Sequence, residues 1–260
     1  MRRETVDGVV LYRFEELRHT RHLTQGVFTR LGGVSTGPFA ELNLGHTVGD
    51  DVSAVEENHR RSLGALGLSV RDVVTPYLIH GARVGVATRA DLGTGYADTD
   101  ALVSNEPGVA LFCRFADCVP VAFYDSDRRA VGIAHTGWRG VVAGVLEATV
   151  HTMVDRFGSD PTHMWAGVGP AIGPCCFEVG ADVAECISQS CPQGSDVVEH
   201  HSGRTTVDLP KAVGAQLVEA GIRNVEQSGL CTACRVDEFF SHRAERGRTG
   251  RFGMVLGLKS

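Results

Sequence analysis

The pattern of apolar and polar residues predicts a chain in which short strands dominate the middle and helices flank them. Apolar runs of strand length lie at 73–79, 82–88, 101–104, 108–115, 119–124, 129–135 and within 161–169. Helical spacing is found at 50–67, 140–157, 180–189 and 208–221. Because long helices do not alternate strictly with the strands, we predict an α+β fold with mixed sheets rather than a regular parallel sheet.

Local signals mark the ends of these elements. Ser53 and Glu56 fit a capping box at the start of the first helix, and Gly67 fits its stop. The segment 29–45 is rich in Gly, Ser and Pro and is predicted to be a long loop. The last helix has a predicted N-cap, a first-turn proline and a stop glycine, at Asp208, Pro210 and Gly221.

The stretch AVGIAHTGWRG at 130–140 combines three elements in a few residues. A small and β-branched strand ends at His135, and a glycine-rich turn then opens the helix predicted over 140–157, which Gly158 closes. A helix N-terminus offers free N–H groups and the positive end of the helix dipole. We therefore expect chemistry at this junction.

Composition excludes some classes of function. The 260 residues carry a net charge of −6 without a strong basic cluster, which argues against a nucleic-acid-binding surface. No apolar run reaches membrane-spanning length, and the segment MRRETVDGVV at the start lacks the apolar core of a signal peptide. We expect a cytoplasmic protein whose eight cysteines are thiols.

Three apolar runs each carry a good metal ligand at one edge. His80 lies in LIHGARV, Cys118 in FADCVPVAFYD and His135 in AHTGWRG. Two imidazoles and one thiolate, with a fourth position open, match a catalytic zinc site. The spacings of 38 and 17 residues fit no compact zinc motif. Taken singly, each residue is better explained as a buried cysteine or a hydrogen-bonded core histidine.

Longer motifs occur in a fixed order along the chain. They are TRLGGVSTGPFAELNLGHTVGDD at 29–51, HGARV, ADCVPV, AHTGWRG, GVGPAIGPCCFEVG at 167–180, and CTACRVDEFFSHRAERGRTGR at 231–251. They resemble the laccase-domain family of multicopper-polyphenol-oxidase-like proteins, whose bacterial members are also called peptidoglycan editing factors. The resemblance covers residues 25–258 and implies one domain, with residues 1–24 as an N-terminal strand and extension of it.

The resemblance implies a four-layer α-β-β-α fold, related to a group of cysteine hydrolases, with Zn²⁺ bound by His80, Cys118 and His135. It also implies a purine nucleoside phosphorylase, which converts adenosine or inosine and phosphate to free base and ribose 1-phosphate. Adenosine deaminase and methylthioadenosine phosphorylase side activities are implied as well. Laccase activity is not expected, because the 11 histidines include no His-x-His pair. Leu78 stands where the family usually has glutamine.

Other residues are candidates for binding substrate. Arg139, at the start of the predicted helix, and Arg243 could bind phosphate, or they could form structural ion pairs. Asp117 could orient a metal ligand or accept a proton. Asn43 matches a family position and could bind substrate or hold a loop.

The remaining cysteine motifs have weaker signals. CTAC at 231–234 is a redox or half-zinc pattern, but no second CxxC completes a four-cysteine site. Cys231 and Cys234 are therefore predicted to be packed thiols. Cys175 and Cys176 follow a Gly-Pro pair in a tight turn, and neither is predicted to be a nucleophile.

Two other functions stay open at this point. The chain could be a metal-independent cysteine hydrolase of a cell-wall precursor, with Cys118 as nucleophile and His135 as base. It could also join a cell-wall or cell-division complex without turnover of its own. The phosphorylase hypothesis requires only small-molecule partners, a purine nucleoside and phosphate, with no nucleic acid or membrane, and a monomer is expected.

Overall fold

Across residues 1–201 and 203–260, which the computed structural model describes, the chain forms two large mixed sheets, a two-stranded ribbon and five α-helices. The strands are β1 Arg2–Val6, β2 Val9–Arg13, β3 Leu23–Phe28, β4 Val73–Pro76, β5 Val84–Val86, β6 Gly95–Tyr96, β7 Ala101–Ser104, β8 Ala110–Phe115, β9 Val119–Asp125, β10 Ala130–Thr136, β11 Trp165–Val168, β12 Val198–His201, β13 Arg204–Val207, β14 Asn224–Gln227 and β15 Phe252–Leu258. The helices are α1 Val52–Gly64, α2 Trp138–Ala143, α3 Val145–Phe157, α4 Ala181–Gln189 and α5 Leu209–Glu219.

Both large sheets mix parallel and antiparallel strands. The first has the order β1-β2-β3-β15-β8-β4-β6, and the second has the order β14-β11-β9-β10-β7-β5. Parallel pairs join β4 to β6 and β8, β5 to β7, and β11 to β14. The prediction of mixed sheets is confirmed.

Alternation along the strands separates three apolar layers. In β10, Val131 and Ile133 pack into the core between the two sheets, whereas Ala130 and Ala134 pack into the core shared with α2–α5. A third core lies on the outer face of the first sheet, where Leu63 of α1 packs. The order helix, sheet, sheet, helices is the predicted four-layer arrangement.

The helix predicted over 140–157 is wrong in its extent. It is two helices, because Gly144 adopts a left-handed conformation (φ +77°) that ends α2 and begins α3. The first of them starts at Trp138, two residues before the predicted start. Apolar spacing continues across the break because α2 and α3 pack against the same core.

The capping box predicted at Ser53 and Glu56 is also wrong. Asp51 is the N-cap of α1, and its carboxylate accepts a hydrogen bond from the Ala54 N–H at 3.0 Å. The other end signals hold: Gly67 lies just beyond α1 with φ +72°, and Asp208 caps α5 through the Lys211 N–H.

Several strands are shorter than predicted, and the differences position the site. The run predicted at 73–79 leaves the first sheet after Pro76, and the chain then crosses to β5 in the second sheet. The segment 29–45 is mostly irregular, as predicted, with one short 3₁₀ turn at Gly37–Phe39. None of the described helices combines the length and apolar character that crossing a membrane requires.

Candidate metal site and adjoining cleft

The three predicted ligands meet where the chain passes between the two sheets. His80 lies in the connection from β4 to β5, and Cys118 lies in the connection from β8 to β9. His135 lies near the end of β10, on the same face as Ile133. One donor atom from each of the three side chains lies within 4.8 Å of the others.

Asp100, a buried residue that the sequence analysis missed, anchors two of these ligands. Its carboxylate accepts hydrogen bonds from the backbone N–H groups of Ile79, His80 and Gly81, at 3.1, 2.9 and 2.8 Å. It also bonds to Nδ1 of His135 at 3.1 Å. These contacts hold the His80 loop in place and leave Nε2 of His135 to face the other donors.

The same contacts explain a strained backbone. His80 has φ +61°, a left-handed conformation that costs energy for a residue with a Cβ. Three successive N–H groups bonded to one carboxylate keep this conformation in place. Although burial opposes it, hydrogen bonds from His135 and from Gly81 lower the pKa of Asp100.

Cys118 and His135 form a strongly coupled pair. Burial alone raises the pKa of a thiol, but the neighbouring imidazoles of His135 and His80 outweigh it and lower the pKa of Cys118 to about 6. Burial likewise favours neutral His135, but the Cys118 thiolate and the Asp100 carboxylate raise its pKa to about 9. The site therefore favours a thiolate, the form of cysteine that binds metals and attacks electrophiles.

Gly137, which follows β10, permits the close packing of the ligands. A Cβ at this position would lie 2.9 Å from Sγ of Cys118 and 3.3 Å from Nδ1 of His80. The close packing of Cys118 and His80 therefore requires a residue without a side chain at position 137.

The carboxylate of Asp117 bonds to Thr232 and Arg243 rather than to any of the three candidate metal ligands. Its carboxylate accepts hydrogen bonds from the Thr232 hydroxyl and from the Arg243 N–H, both at 2.7 Å. Its backbone carbonyl accepts the Ile172 N–H at 3.0 Å. These contacts give Asp117 a role in holding the loop that carries Cys118.

The other predicted substrate contacts are engaged within the protein. Asn43 is fully buried and bonds to Gly45, Asp50 and Arg251. The Arg243 guanidinium donates to the Glu178 carbonyl at 2.7 Å.

Arg139, the other predicted phosphate ligand, is exposed, and its guanidinium lies 4.5 Å from the centre of the Trp138 ring. Among the residues that the structure describes, Arg139 has this stacking contact and neither a side-chain hydrogen bond nor an ion pair.

A cleft of about 510 Å³ lies beside the site. Two arginines that the sequence analysis did not single out line this cleft. Arg114 and Arg251 line it together with His46, Tyr77 and Leu78. Neither arginine has an ion-pair partner among the described residues, and burial lowers the pKa of each. Arg114 lies within the apolar run predicted at 108–115, and Arg251 is the last residue of the motif at 231–251, and neither position gave a signal for an anion site.

The four cysteines of the two weaker motifs, which the sequence analysis considered separately, come together in the structure. Cys175 and Cys176 lie beside Cys231 and Cys234, with all four Sγ atoms within 4.8 Å of one another. An adjacent Cys-Cys pair therefore takes the place that a second CxxC would have in a four-cysteine site.

Comparisons with known proteins agree along nearly the whole chain. A family model described as multi-copper polyphenol oxidoreductase laccase matches residues 24–259. A Geobacillus stearothermophilus protein named purine nucleoside phosphorylase YlmD is 38% identical, over 90% of this chain and 89% of its own. The Escherichia coli strain K12 protein named purine nucleoside phosphorylase YfiH is 36% identical, over 88% of this chain and 91% of its own. The crystal structure of YlmD from G. stearothermophilus superposes with a TM-score of 0.93 at 34% identity, covering 99% of this chain and 98% of that chain.

Proposed function

This chain belongs to the multi-copper polyphenol oxidoreductase laccase family, and on that premise we propose that it is a zinc-dependent purine nucleoside phosphorylase. The observation that carries the proposal is the position of the His80–Cys118–His135 site beside a cleft lined by Arg114 and Arg251, which form no ion pair with any described residue. Relatives in two bacterial species bear the name of this activity.

The donor set fits zinc. Two imidazoles and one thiolate leave a fourth position open, as catalytic zinc sites require. The Asp100 carboxylate accepts from Nδ1 of His135, the support that metal-binding histidines usually have. When bound here, zinc would supply a Lewis acid next to the substrate.

The cleft supplies the means to hold phosphate. Arg114 and Arg251 are partly withdrawn from solvent, so an anion between them is stabilised more strongly than at an exposed surface. We assign the phosphate site to these two arginines. They replace Arg139 and Arg243 as the leading candidates for this role.

Side chains next to the metal ligands suit a nucleoside. Tyr77 and Ile79 are 58% and 55% exposed, which is unusual for large apolar residues, and they flank His80 along the chain. An aromatic ring and an aliphatic side chain at the mouth of a cleft can pack on the face of a purine. Leu78, which lines the cleft in place of the family's glutamine, adds an apolar surface there.

The chain's own residues then have distinct tasks. Arg114 and Arg251 orient phosphate and neutralise its charge, and Tyr77 positions the base. Asp100 keeps His80 and His135 in place. Holding the two reactants together in one cleft removes much of the entropic cost of their encounter.

The direct test follows release of free base from adenosine and inosine, with and without phosphate, by the purified zinc-loaded protein. The proposal requires base release that depends on phosphate and yields ribose 1-phosphate. Arg114→Ala and Arg251→Ala should each raise the KM for phosphate about 10-fold or more. Arg156→Ala, which removes an exposed arginine from α3, is the matched control and should leave that KM unchanged.

Arg139→Ala separates the two assignments of the phosphate site. If this variant raises the KM for phosphate and the two cleft variants do not, the assignment to the cleft is wrong. Ammonia release from adenosine and base release from methylthioadenosine test the two proposed side activities in the same preparations.

A second candidate rests on the Cys118–His135 pair. Without a metal, the coupled thiolate and imidazolium, oriented by Asp100, resemble the nucleophile and base of a cysteine hydrolase. Metal-free protein that hydrolyses a cell-wall precursor and loses this activity when Cys118 is alkylated would favour this candidate. Phosphorolysis restored by zinc would exclude it as the main activity.

Laccase chemistry is not proposed, despite the family's name. A multicopper oxidase needs several copper ions bound by many histidines. In the part of the chain that the structure describes, His80 and His135 are the only histidines found in a potential metal-binding cluster.

A further inference from the structure

The four cysteines outside the candidate active site form one cluster at the protein surface. The Sγ atom of Cys234 lies 3.4 Å from that of Cys175 and 3.4 Å from that of Cys176, and Sγ of Cys231 completes the group. We propose that these four thiolates bind one zinc ion in a second, structural site.

The spacing of the sulfur atoms fits this ion. Tetrahedral zinc with Zn–S bonds of about 2.3 Å places its four sulfur ligands about 3.8 Å apart. The observed separations of 3.4 Å, within a cluster that spans at most 4.8 Å, lie around that value. Cys175 and Cys234 are exposed, so their side chains have room to adjust as an ion binds.

Backbone contacts hold each pair of cysteines in place before any ion binds. The N–H groups of Cys176 and Phe177 both donate to the Gly173 carbonyl at 3.0 Å, which forms the turn that carries the Cys-Cys pair. The Arg235 N–H donates to the Cys231 carbonyl at 3.1 Å across the CTAC turn.

The two turns are also joined to each other. Ala171 and Cys231 form a parallel β-bridge. The Gly173 N–H donates to Sγ of Cys231 at 3.2 Å, a contact that stabilises a thiolate ligand. The cluster is therefore positioned by both loops rather than by a chance approach of side chains.

Binding one ion uses all four sulfur atoms, whereas a single disulfide does not. Cys234 is equally close to both residues of the Cys-Cys pair, so a bond to one of them would leave the other beside Cys231. Four thiols have the ligand count of a closed structural zinc site, and their protons are released to solvent as the metal binds.

The proposed site would brace a loop that contacts the candidate active site. Thr232, between two of the cysteines, donates its hydroxyl to Asp117 at 2.7 Å, and Asp117 directly precedes Cys118. The ion would thus fix a segment that supports the loop carrying Cys118. The proposal of a four-cysteine zinc site does not depend on the proposed enzymatic activity.

The test measures zinc per chain in full-length protein produced with zinc and freed of loosely bound metal by gel filtration. His80→Ala removes the first site, so any zinc left in this variant reports on the cysteine cluster alone. We expect about one zinc ion in His80→Ala and about none in His80→Ala combined with Cys234→Ser. Adding Cys186→Ser to His80→Ala, which removes an exposed cysteine of α4 outside the cluster, should leave the content unchanged.

Cobalt gives an independent readout. Co²⁺ in the His80→Ala protein should show the strong thiolate-to-metal absorption of a four-sulfur tetrahedral site, and Cys176→Ser should weaken it. If the His80→Ala protein contained no metal and only four of its eight cysteines titrated as thiols, the proposal would be overturned in favour of disulfides. Iron in place of zinc, or zinc retained after Cys234→Ser in a protein with native circular dichroism, would also overturn it.

Discussion

The His80–Cys118–His135 site and the four-cysteine cluster lie on either side of the Asp117–Thr232 contact, and they are assembled differently. The first draws two candidate ligands from segments that pass between two sheets and the third from the end of β10, and the buried Asp100 fixes His80 and His135. The second draws all its ligands from two surface turns joined by a β-bridge and one N–H···S contact. Burial and a supporting carboxylate suit a site that must hold a reactive geometry, whereas four ligands on surface turns suit a site that only links loops.

The largest effect is expected from filling the space beside Gly137. Gly137→Ala places a methyl group 2.9 Å from Sγ of Cys118, so this thiolate and His80 must move apart. A displacement of about 1 Å at a catalytic centre costs on the order of 100-fold in rate. Phosphorolysis and zinc content should fall together while the cysteine cluster keeps its metal.

Gly64→Ala is the matched control for this substitution. A Cβ there meets nothing within 4 Å, so activity should be unchanged. If Gly137→Ala kept full activity and full metal content, the site would be far looser than the contacts indicate.

Asp100→Asn should have the next largest effect. The amide keeps the size of the side chain but loses the charge that supports His135 and can no longer accept equally on both sides. Such changes around metal ligands lower metal affinity or activity about 10- to 100-fold. A competition titration with a zinc chelator measures the affinity. Asp125→Asn serves as the control, because it changes another buried carboxylate, which ends β9 and accepts a hydrogen bond from the following turn.

A smaller effect, on pH-dependent stability, is expected from His59, whose ring stacks on that of His46 in the lining of the cleft. Burial and nearby His46 lower the pKa of His59 to about 4, below its ordinary value of 6.5. The unfolded chain therefore binds this proton first as the pH falls. The stabilisation is complete above pH 6.5 and is lost progressively toward pH 4, by about 2 kcal/mol at pH 5.

His59→Gln isolates this contribution. The glutamine amide can still donate to the Leu44 carbonyl, which His59 contacts at 3.0 Å, but it does not titrate. The free energy of unfolding, measured by urea titration between pH 4 and pH 7, should depend less steeply on pH in the variant. An unchanged slope would show that His59 is not the responsible group.

The smallest effect is expected from Cys234→Ser on catalysis. Loss of the Cys234 thiolate should lower the melting temperature, because the structural ion is no longer held, but it should leave kcat within about twofold of the original value. A large fall in kcat at unchanged stability would instead show that the cluster controls the active site through Thr232 and Asp117.

The sequence allowed the ligand set to be predicted but not its support. His80, Cys118 and His135 each stand at the edge of an apolar run and within a motif of the family. Asp100 escaped notice because it directly precedes a short strand. Its role depends on the pairing of β7 with β10, which brings Ala101 opposite Ala134. No local pattern of residues specifies that pairing.

Two other differences between the prediction and the structure also depend on contacts between distant segments. The sequence did not reveal the cysteine cluster, because a four-cysteine site is usually signalled by two CxxC motifs, whereas the tertiary structure joins one CxxC to a Cys-Cys pair. The break at Gly144 was missed because apolar spacing continues through it. Patterns along the chain report burial well, but they do not report contacts made by backbone groups of distant segments.

The way Asp100 holds the His80 loop has a consequence for how this site can change in evolution. The three bonds reach main-chain N–H groups, so residues 79 and 81 contribute to the anchor without using their side chains. Position 79 is thus free to vary in size and polarity, and with it the surface offered to a substrate, while the ligand stays where it is. Proline is the exception, since it has no N–H to give. A family with such a loop can change the side chain at position 79 without moving the histidine at position 80.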